Sequence, residues 1–161
     1  MNRPTAVILA LDGTLADVTA LHHLVSGHRP AFTAPGADEF YARSIAAPAV
    51  DTVARLARLE KLIGHEVFIL TERPERWRAV SEAWLLLNEV PADRVLMRAA
   101  GDHRPDVLVK EDLLDSIAGR EIVQAYENRA DAAVLYESRG IPVTFLAGSE
   151  LSVPAPAFAH A

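Results

Sequence analysis

The sequence predicts an α/β fold in which a doubly wound parallel sheet is covered by helices on both faces. Short apolar runs alternate with segments whose apolar residues recur every three or four positions, a pattern typical of strands alternating with helices. The runs are apolar along their whole length, as expected for parallel strands that are buried on both faces. Right-handed crossovers between such strands then place helices on both sides of the sheet.

The first third of the chain predicts one strand and two short helices. Residues 5–11 form an apolar run that ends at an Asp-Gly turn, which indicates a buried strand. Residues 15–25 carry apolar side chains at helical spacing and predict a short helix. Residues 27–35 contain Gly and Pro and predict a loop, and residues 38–45 predict a second small helix.

A helix, a strand and another helix are predicted next. Apolar spacing predicts a helix over residues 50–63, and Gly64 is expected to end it because glycine readily adopts the left-handed conformation at a helix C-terminus. Residues 66–70 form the second apolar run and predict a strand. Pro74 is expected to open a helix over residues 74–88, since the first helical turn tolerates proline.

The last third repeats the alternation and completes a sheet of about five strands. We predict a strand over residues 94–97, a helix over 105–117, a strand over 122–126, a helix over 130–139 and a strand over 142–146.

Length and composition fit one domain with a tail. The chain has 161 residues, of which 50% are hydrophobic and 24% are charged, as in an ordinary globular domain. We expect a single domain over residues 1–148, with a small lid insertion at about residues 15–49. Residues 149–161 are dominated by Pro, Ala and Ser, which predicts a loose C-terminal tail.

Charge and cysteine content exclude several classes of function. There is no cysteine, so disulfides, thiolate metal sites and a cysteine nucleophile are excluded. The net charge of -6 argues against broad, non-specific coating of nucleic acid. The apolar run near the N-terminus is too short for a signal sequence or a membrane span, so we expect a cytoplasmic protein without membrane association. The oligomeric state is left open.

Polar residues follow several predicted strands, at the edge where a doubly wound sheet binds ligands. Asp12 could face a phosphate or a cation, or serve only as a turn residue. Thr71 could bond a phosphoryl oxygen, or cap the following helix. Lys110 could reach an anion, or lie along the surface of its helix. Glu127 and Asn128 could ligate a hard cation, or act as acceptors at a helix N-terminus.

The order and spacing of these residues resemble the haloacid dehalogenase (HAD) superfamily over about residues 5–147. The four signatures of that superfamily match, in chain order, Ala10 with Asp12, Thr71, Lys110, and Glu127 with Asn128. The resemblance implies a Rossmann-like HAD core with a minimal cap.

Two segments are similar to a particular subgroup, the 3′-phosphatase domain of phage-type polynucleotide kinases. That domain favours Thr-Gly-Arg-Pro after the second strand, where residues 71–74 read Thr-Glu-Arg-Pro. It also favours Met-Arg, Gly-Asp and Asp ahead of the third-signature lysine, as found over residues 96–110.

The resemblance implies a role for each matched position. The residue at position 10 would attack phosphorus, Asp12 would act as general acid and then base, and Thr71 and Lys110 would bind the phosphoryl oxygens. Magnesium would be held by a carboxylate at position 10, by the backbone carbonyl of Asp12 and by an acid of the fourth signature. In this chain the predicted metal site is therefore Asp12, Glu127 and Asn128. Further substrate-binding candidates are Thr14, Arg73, Arg98, Arg104 and Arg129.

Three positions depart from the subgroup pattern and weaken the prediction of catalysis. Alanine at position 10 can neither attack nor bind a metal, Glu72 replaces a glycine, and Asn128 replaces an acid. Either the nucleophile was lost naturally, or it was changed deliberately in an active Mg²⁺-dependent phosphomonoester hydrolase. The other two departures favour natural loss.

Three functions remain open on the sequence alone. The chain could be an inactive phosphatase-like domain, or a pseudophosphatase that binds a phosphorylated small molecule or a nucleic-acid end. It could also be a protein-interaction module on a degenerate HAD scaffold.

Overall fold

A five-stranded sheet forms the centre of the computed structural model, which describes residues 2–146. The strands are β1 (Thr5–Leu9), β2 (Glu66–Pro74), β3 (Arg94–Arg98), β4 (Glu121–Glu127) and β5 (Val143–Phe145). Their order across the sheet is β3-β2-β1-β4-β5, and every neighbouring pair is parallel. The predicted doubly wound α/β fold is confirmed. The predicted tail, residues 149–161, lies outside the described residues.

Five α-helices connect the strands of the described chain. They are α1 (Ala37–Arg43), α2 (Asp51–Leu62), α3 (Arg78–Leu87), α4 (Asp106–Asp115) and α5 (Ala130–Ser138). None of the helices in residues 2–146 is long and apolar enough to span a membrane.

The sheet separates two apolar cores, as expected for strands buried on both faces. Val7 and Leu9 of β1 pack on one side, in a core that includes buried residues of α2 and α3. Ala6 and Ile8 point to the other side and pack with α4 and α5. Because successive side chains of a strand alternate between faces, one five-residue run supplies both cores.

The prediction that Pro74 opens a helix is wrong. Strand β2 continues to Pro74, which pairs with Arg98 of β3, and a 3₁₀ turn over Glu75–Trp77 precedes α3. Pro74 has φ -59° and ψ 144°, an extended conformation that proline adopts as readily as the first helical turn. Because β2 is longer than predicted, residues 71–74 lie within the strand, at the carboxyl edge of the sheet.

The predicted helix over residues 15–25 is reduced to a 3₁₀ helix over Thr19–Leu24. Ala16 forms isolated β-bridges with Asp12 and Ala49. Because Ala16 is paired in these bridges, a helix cannot begin at residue 15. Helix α1 and short 3₁₀ helices complete the small segment between β1 and α2.

Candidate functional site

A cavity of about 240 Å³ lies beyond the carboxyl ends of the central strands. The turn after β1 contributes Asp12, the end of β2 contributes Glu72 and Arg73, and the residues after β4 contribute Asn128 and Arg129. The segment between β1 and α2 lines the opposite wall with apolar and histidine side chains. This is the position at which doubly wound sheets bind their ligands.

Ala10 occupies the residue directly after β1 and is 3% exposed. Its backbone N–H donates to the carbonyl of Tyr126 in β4 at 3.1 Å, so the backbone still follows the sheet. Its side chain is a methyl group and offers neither a nucleophilic atom nor an oxygen ligand.

Asp12 is held by Arg73. The guanidinium donates from Nε at 2.8 Å and from Nη2 at 2.5 Å to the two carboxylate oxygens. Arg73 is 2% exposed, and its remaining nitrogen donates to Ser81 of α3 at 3.2 Å. Burial opposes the charge on the guanidinium, but the Asp12 carboxylate outweighs it and raises the pKa of Arg73. The predicted acid–base residue and the predicted substrate-binding arginine thus form one ion pair.

Lys110 lies fully buried between two carboxylates. Its ammonium is hydrogen-bonded to Glu127 and lies 3.2 Å from Glu72. Burial disfavours the charge, but the two carboxylates outweigh burial and raise the pKa of Lys110. The predicted phosphoryl-binding lysine is therefore brought to the site with its charge already paired.

Asn128 joins the turn after β1 to the end of β4. Its amide lies 3.0 Å from the Thr14 hydroxyl. The orientation with nitrogen inward satisfies the most partners, since the two hydrogens of that nitrogen then face three acceptors at 3.0–3.2 Å, the Asp12 carbonyl, Thr14 Oγ1 and Glu127 Oε1. Gly13 has φ +79°, and a Cβ there would lie 2.2 Å from the other terminal atom of the Asn128 amide, which is the oxygen in this orientation. Glycine is required at this close approach.

Thr71 is 1% exposed, and its hydroxyl accepts a hydrogen bond from the backbone N–H of Arg73 at 3.3 Å. It does not cap a helix, because β2 continues past it. The structure brings it to the carboxyl edge of the sheet, next to the two residues of β2 that line the cavity.

The other predicted arginines differ in position. Arg98 is 1% exposed and donates to the Glu72, Asp102 and Arg104 carbonyls and to Asp106. Arg98 therefore stabilises the loop between β3 and α4 through these hydrogen bonds. Arg104 pairs with Asp102 and Asp112 and is not among the residues that line the cavity.

Arg129 is the predicted arginine that lies on the cavity wall after β4. It pairs with Asp106 at 2.5 Å, with Asp131 at 2.7 Å and with Glu72 at 3.4 Å. Its role in substrate binding stays a prediction, as do the roles of the other site residues.

A family model for the polynucleotide kinase PNKP phosphatase domain matches residues 4–144. The chain belongs to this HAD-type family. The recognition made from the four signatures is confirmed.

Solved structures resemble this PNKP-family domain in fold. A chain of the Pnkp1/Rnl/Hen1 RNA repair complex is 24% identical with a TM-score of 0.72, and the match covers 89% of this chain and 42% of that one. The class C acid phosphatase from Bacillus anthracis with tungstate bound is 13% identical with a TM-score of 0.62, and the match covers 91% of this chain and 67% of that one.

The protein tyrosine kinase A (PtkA) of Mycobacterium tuberculosis is 16% identical with a TM-score of 0.61, and the match covers 100% of this chain and 92% of that one. The PNKP-family domain thus spans less than half of the repair-complex chain that it resembles. A comparison with curated proteins gives no significant match.

The residues predicted to hold Mg²⁺ in this PNKP-family domain do not fit that ion. Position 10 supplies no oxygen, and the backbone carbonyl of Asp12 lies 3.2 Å from the Asn128 amide nitrogen in its preferred orientation. Glu127 accepts from Lys110 through one oxygen and from the backbone N–H groups of residues 128 and 129 through the other. Within residues 2–146 no group of three or more His, Cys, Asp or Glu side chains is arranged to hold a metal. Donors occupy the oxygens that Mg²⁺ would need.

Several residues that line the cavity of the PNKP-family domain were not predicted as site residues, among them Tyr41 and Asp106. Tyr41 of α1 lines the cavity, with the Arg73 guanidinium 5.6 Å from its ring centre. No signal in the sequence places this helix against β2. Asp106, at the start of α4, joins Arg98 to Arg129. Its place ahead of the third-signature lysine was a signal that could have found it.

Proposed function

We propose that the chain is a pseudophosphatase, a HAD-type domain of the PNKP phosphatase family that does not hydrolyse phosphomonoesters. The observation that carries this proposal is the methyl group of Ala10 at the carboxyl end of β1. In the HAD superfamily, which the chain resembles, this position supplies the attacking carboxylate. Without it, no aspartyl-phosphate can form.

The arrangement of Asp12 supports the same conclusion. Both of its carboxylate oxygens accept hydrogen bonds from Arg73. General acid–base catalysis requires a carboxyl group within hydrogen-bond reach of the proton that it moves. A carboxylate whose two oxygens are engaged by a buried guanidinium must break that pair before it can reach a leaving group or a water molecule.

Hydrolysis of a nucleoside 3′-phosphate and of an aryl phosphate, with and without magnesium, tests this proposal. We expect the wild-type rate to equal the rate without protein and to equal that of Asp12→Asn. Magnesium-dependent turnover that is lost in Asp12→Asn would overturn the proposal.

The variant Ala10→Asp separates loss of the nucleophile from further defects. Restored turnover would show that the remaining pocket still supports phosphoryl transfer. If Ala10→Asp is silent and Ala10→Asp/Glu72→Gly/Asn128→Asp is active, the other two departures from the subgroup pattern contribute to the loss of activity.

A second candidate function is binding of a phosphorylated small molecule or nucleic-acid end. Arg29, Arg73 and Arg129 line the same cavity and favour an anionic ligand. The likeness to a chain of an RNA repair complex supports a nucleic-acid end as the first ligand to test. A titration with a 3′-phosphorylated oligonucleotide and its unphosphorylated counterpart would distinguish this function, because an end binder prefers the former and weakens with salt.

A further inference from the structure

Three cations at the carboxyl edge of the sheet, Arg73, Lys110 and Arg129, are already matched with carboxylates. Arg73 pairs with Asp12, and Lys110 pairs with Glu127. Arg129 pairs with the carboxylates of Asp106 and Asp131. An incoming anion therefore meets ion pairs, and its affinity depends on which carboxylate can be displaced.

Glu72 is a carboxylate on the cavity wall that contacts both Lys110 and Arg129, two cations that come from different elements. Its Oε1 lies 3.2 Å from Lys110 Nζ, which comes from α4, and 3.4 Å from Arg129 Nη1, which follows β4. An oxygen between these two groups has the geometry of a bridging ligand. Two cations converging on one oxygen are typical of a phosphoryl-binding site.

The backbone fixes Glu72 in this place. It lies within β2, and its carbonyl accepts a hydrogen bond from Arg98 Nε at 3.0 Å. Its side chain lines the cavity and is 20% exposed. Burial raises the pKa of Glu72, while the charge of Lys110 opposes that rise. The carboxylate is thus held in the pocket by its position on the strand as well as by its two ion pairs.

We propose that Glu72 is an internal anion that occupies the place of a phosphoryl oxygen between Lys110 and Arg129, and that it thereby excludes free phosphate from the pocket. The proposal rests on the proposed function, in which this pocket descends from a phosphoryl-transfer site. Glu72 is therefore the residue that determines which anions the pocket accepts.

Two physical effects give Glu72 the advantage over phosphate. As part of the chain it meets the two cations at a high effective concentration, without the translational cost of a free ligand. Its negative charge also repels a phosphate dianion that approaches Lys110 and Arg129. A small anion can bind both cations only after the Glu72 side chain has left them.

Binding of inorganic phosphate, measured by isothermal titration calorimetry at low ionic strength, tests the proposal. We expect Glu72→Gly and Glu72→Gln to bind phosphate at least about tenfold more tightly than the wild type, which corresponds to about 1.4 kcal/mol. Glu72→Gln keeps the size of the side chain and removes its charge, so it decides the test if the glycine variant does not fold.

Asp131→Asn is the matched control for charge. Asp131 also pairs with Arg129, at 2.7 Å, but it is not among the residues that line the cavity. The proposal predicts little gain in this variant, although the net charge changes by the same amount as in Glu72→Gln. An equal gain in both variants would overturn the proposal, because it would show an effect of net charge alone.

A second control removes one of the two cations. The gain of Glu72→Gln should disappear in Arg129→Gln/Glu72→Gln, which leaves the buried pair of Lys110 and Glu127 intact. Phosphate binding that is unchanged in both Glu72 variants would overturn the proposal, as would tight binding by the wild type. These results leave the proposed absence of turnover standing. Turnover by the wild type would overturn the proposed absence of turnover. It would not decide the role of Glu72, because phosphate binding is measured without a substrate.

Discussion

Asp12 and Arg73 are joined by two hydrogen bonds, at 2.8 Å and 2.5 Å, between both carboxylate oxygens and two guanidinium nitrogens. A bidentate pair of this kind is strong and fixed in direction. It links the turn after β1 to the end of β2 on the cavity wall. The pair therefore contributes to the stability of the domain and restrains the residue that the family resemblance assigns to acid–base catalysis.

Replacement of Arg73 by Ala should lower the free energy of unfolding by about 3 kcal/mol, since it leaves the mostly buried Asp12 carboxylate without its guanidinium partner and removes the hydrogen bond to Ser81. Urea unfolding followed by tryptophan fluorescence measures the change. Arg43→Ala is the matched control, because Arg43 pairs with Glu39 on the surface, and should change stability by less than about 0.5 kcal/mol. Equal effects of the two substitutions would contradict a stabilising role for the Asp12 pair.

Replacement of Lys110 by Met should destabilise the domain by at least about 3 kcal/mol, because Glu127 is left buried with an uncompensated charge. The double variant Lys110→Met/Glu127→Gln should recover part of that loss, since it removes the charge as well. Lys61→Met serves as the control, because Lys61 is half exposed beside Asp93. The absence of any recovery in the double variant, measured by urea unfolding, would argue against the charge as the cause.

The sequence predicts the sheet and the edge at which the polar residues gather, because both depend on local patterns. An apolar run followed by Asp-Gly-Thr predicts a strand and its turn wherever it occurs. The pairing of Asp12 with Arg73 depends instead on how far β2 continues, and Pro74 is compatible with either a strand end or a helix start. The sequence identifies the charged residues at the site, but not that they are mutually paired.

The segment between β1 and α2 shows the same limit. Apolar spacing over residues 15–25 predicts a helix, but bridges from Ala16 to Asp12 and Ala49 prevent its first turns. The bridge to Ala49 joins residues far apart in sequence, and such tertiary pairing overrides the local preference. The position of Tyr41 beside Arg73 is likewise a tertiary contact without a local signal.

Gly13→Ala should destabilise the domain by more than backbone strain alone. The new methyl group meets the Asn128 amide, and the residue has positive φ. Gly140→Ala is the control, since Gly140 has φ +72° but open space around a Cβ, and it should cost about 1 kcal/mol. In the background of Asn128→Ala the excess cost of Gly13→Ala should shrink. Thermal unfolding of the four variants measures this, and equal costs at the two glycines would contradict the close approach.

Asp102 should make stability depend on acid pH. Hydrogen bonds from the Arg104 side chain lower the pKa of Asp102 from 3.8 to about 2. An acid whose pKa is lower in the folded state stabilises that state above its unfolded pKa, and the stabilisation is lost as the pH falls towards the folded pKa.

The wild type should therefore exceed Asp102→Asn in stability above about pH 4, and the difference should decrease between pH 4 and pH 2. Urea unfolding at a series of pH values measures this difference. A difference that is constant over this range would contradict the lowered pKa.

A single-turnover experiment decides whether the chain lacks phosphatase activity. Excess wild-type protein is incubated with a 3′-phosphorylated oligonucleotide and magnesium, and released phosphate is followed over many hours. We expect the wild-type protein to release phosphate no faster than buffer alone. Faster release that disappears in Asp12→Asn would contradict this expectation.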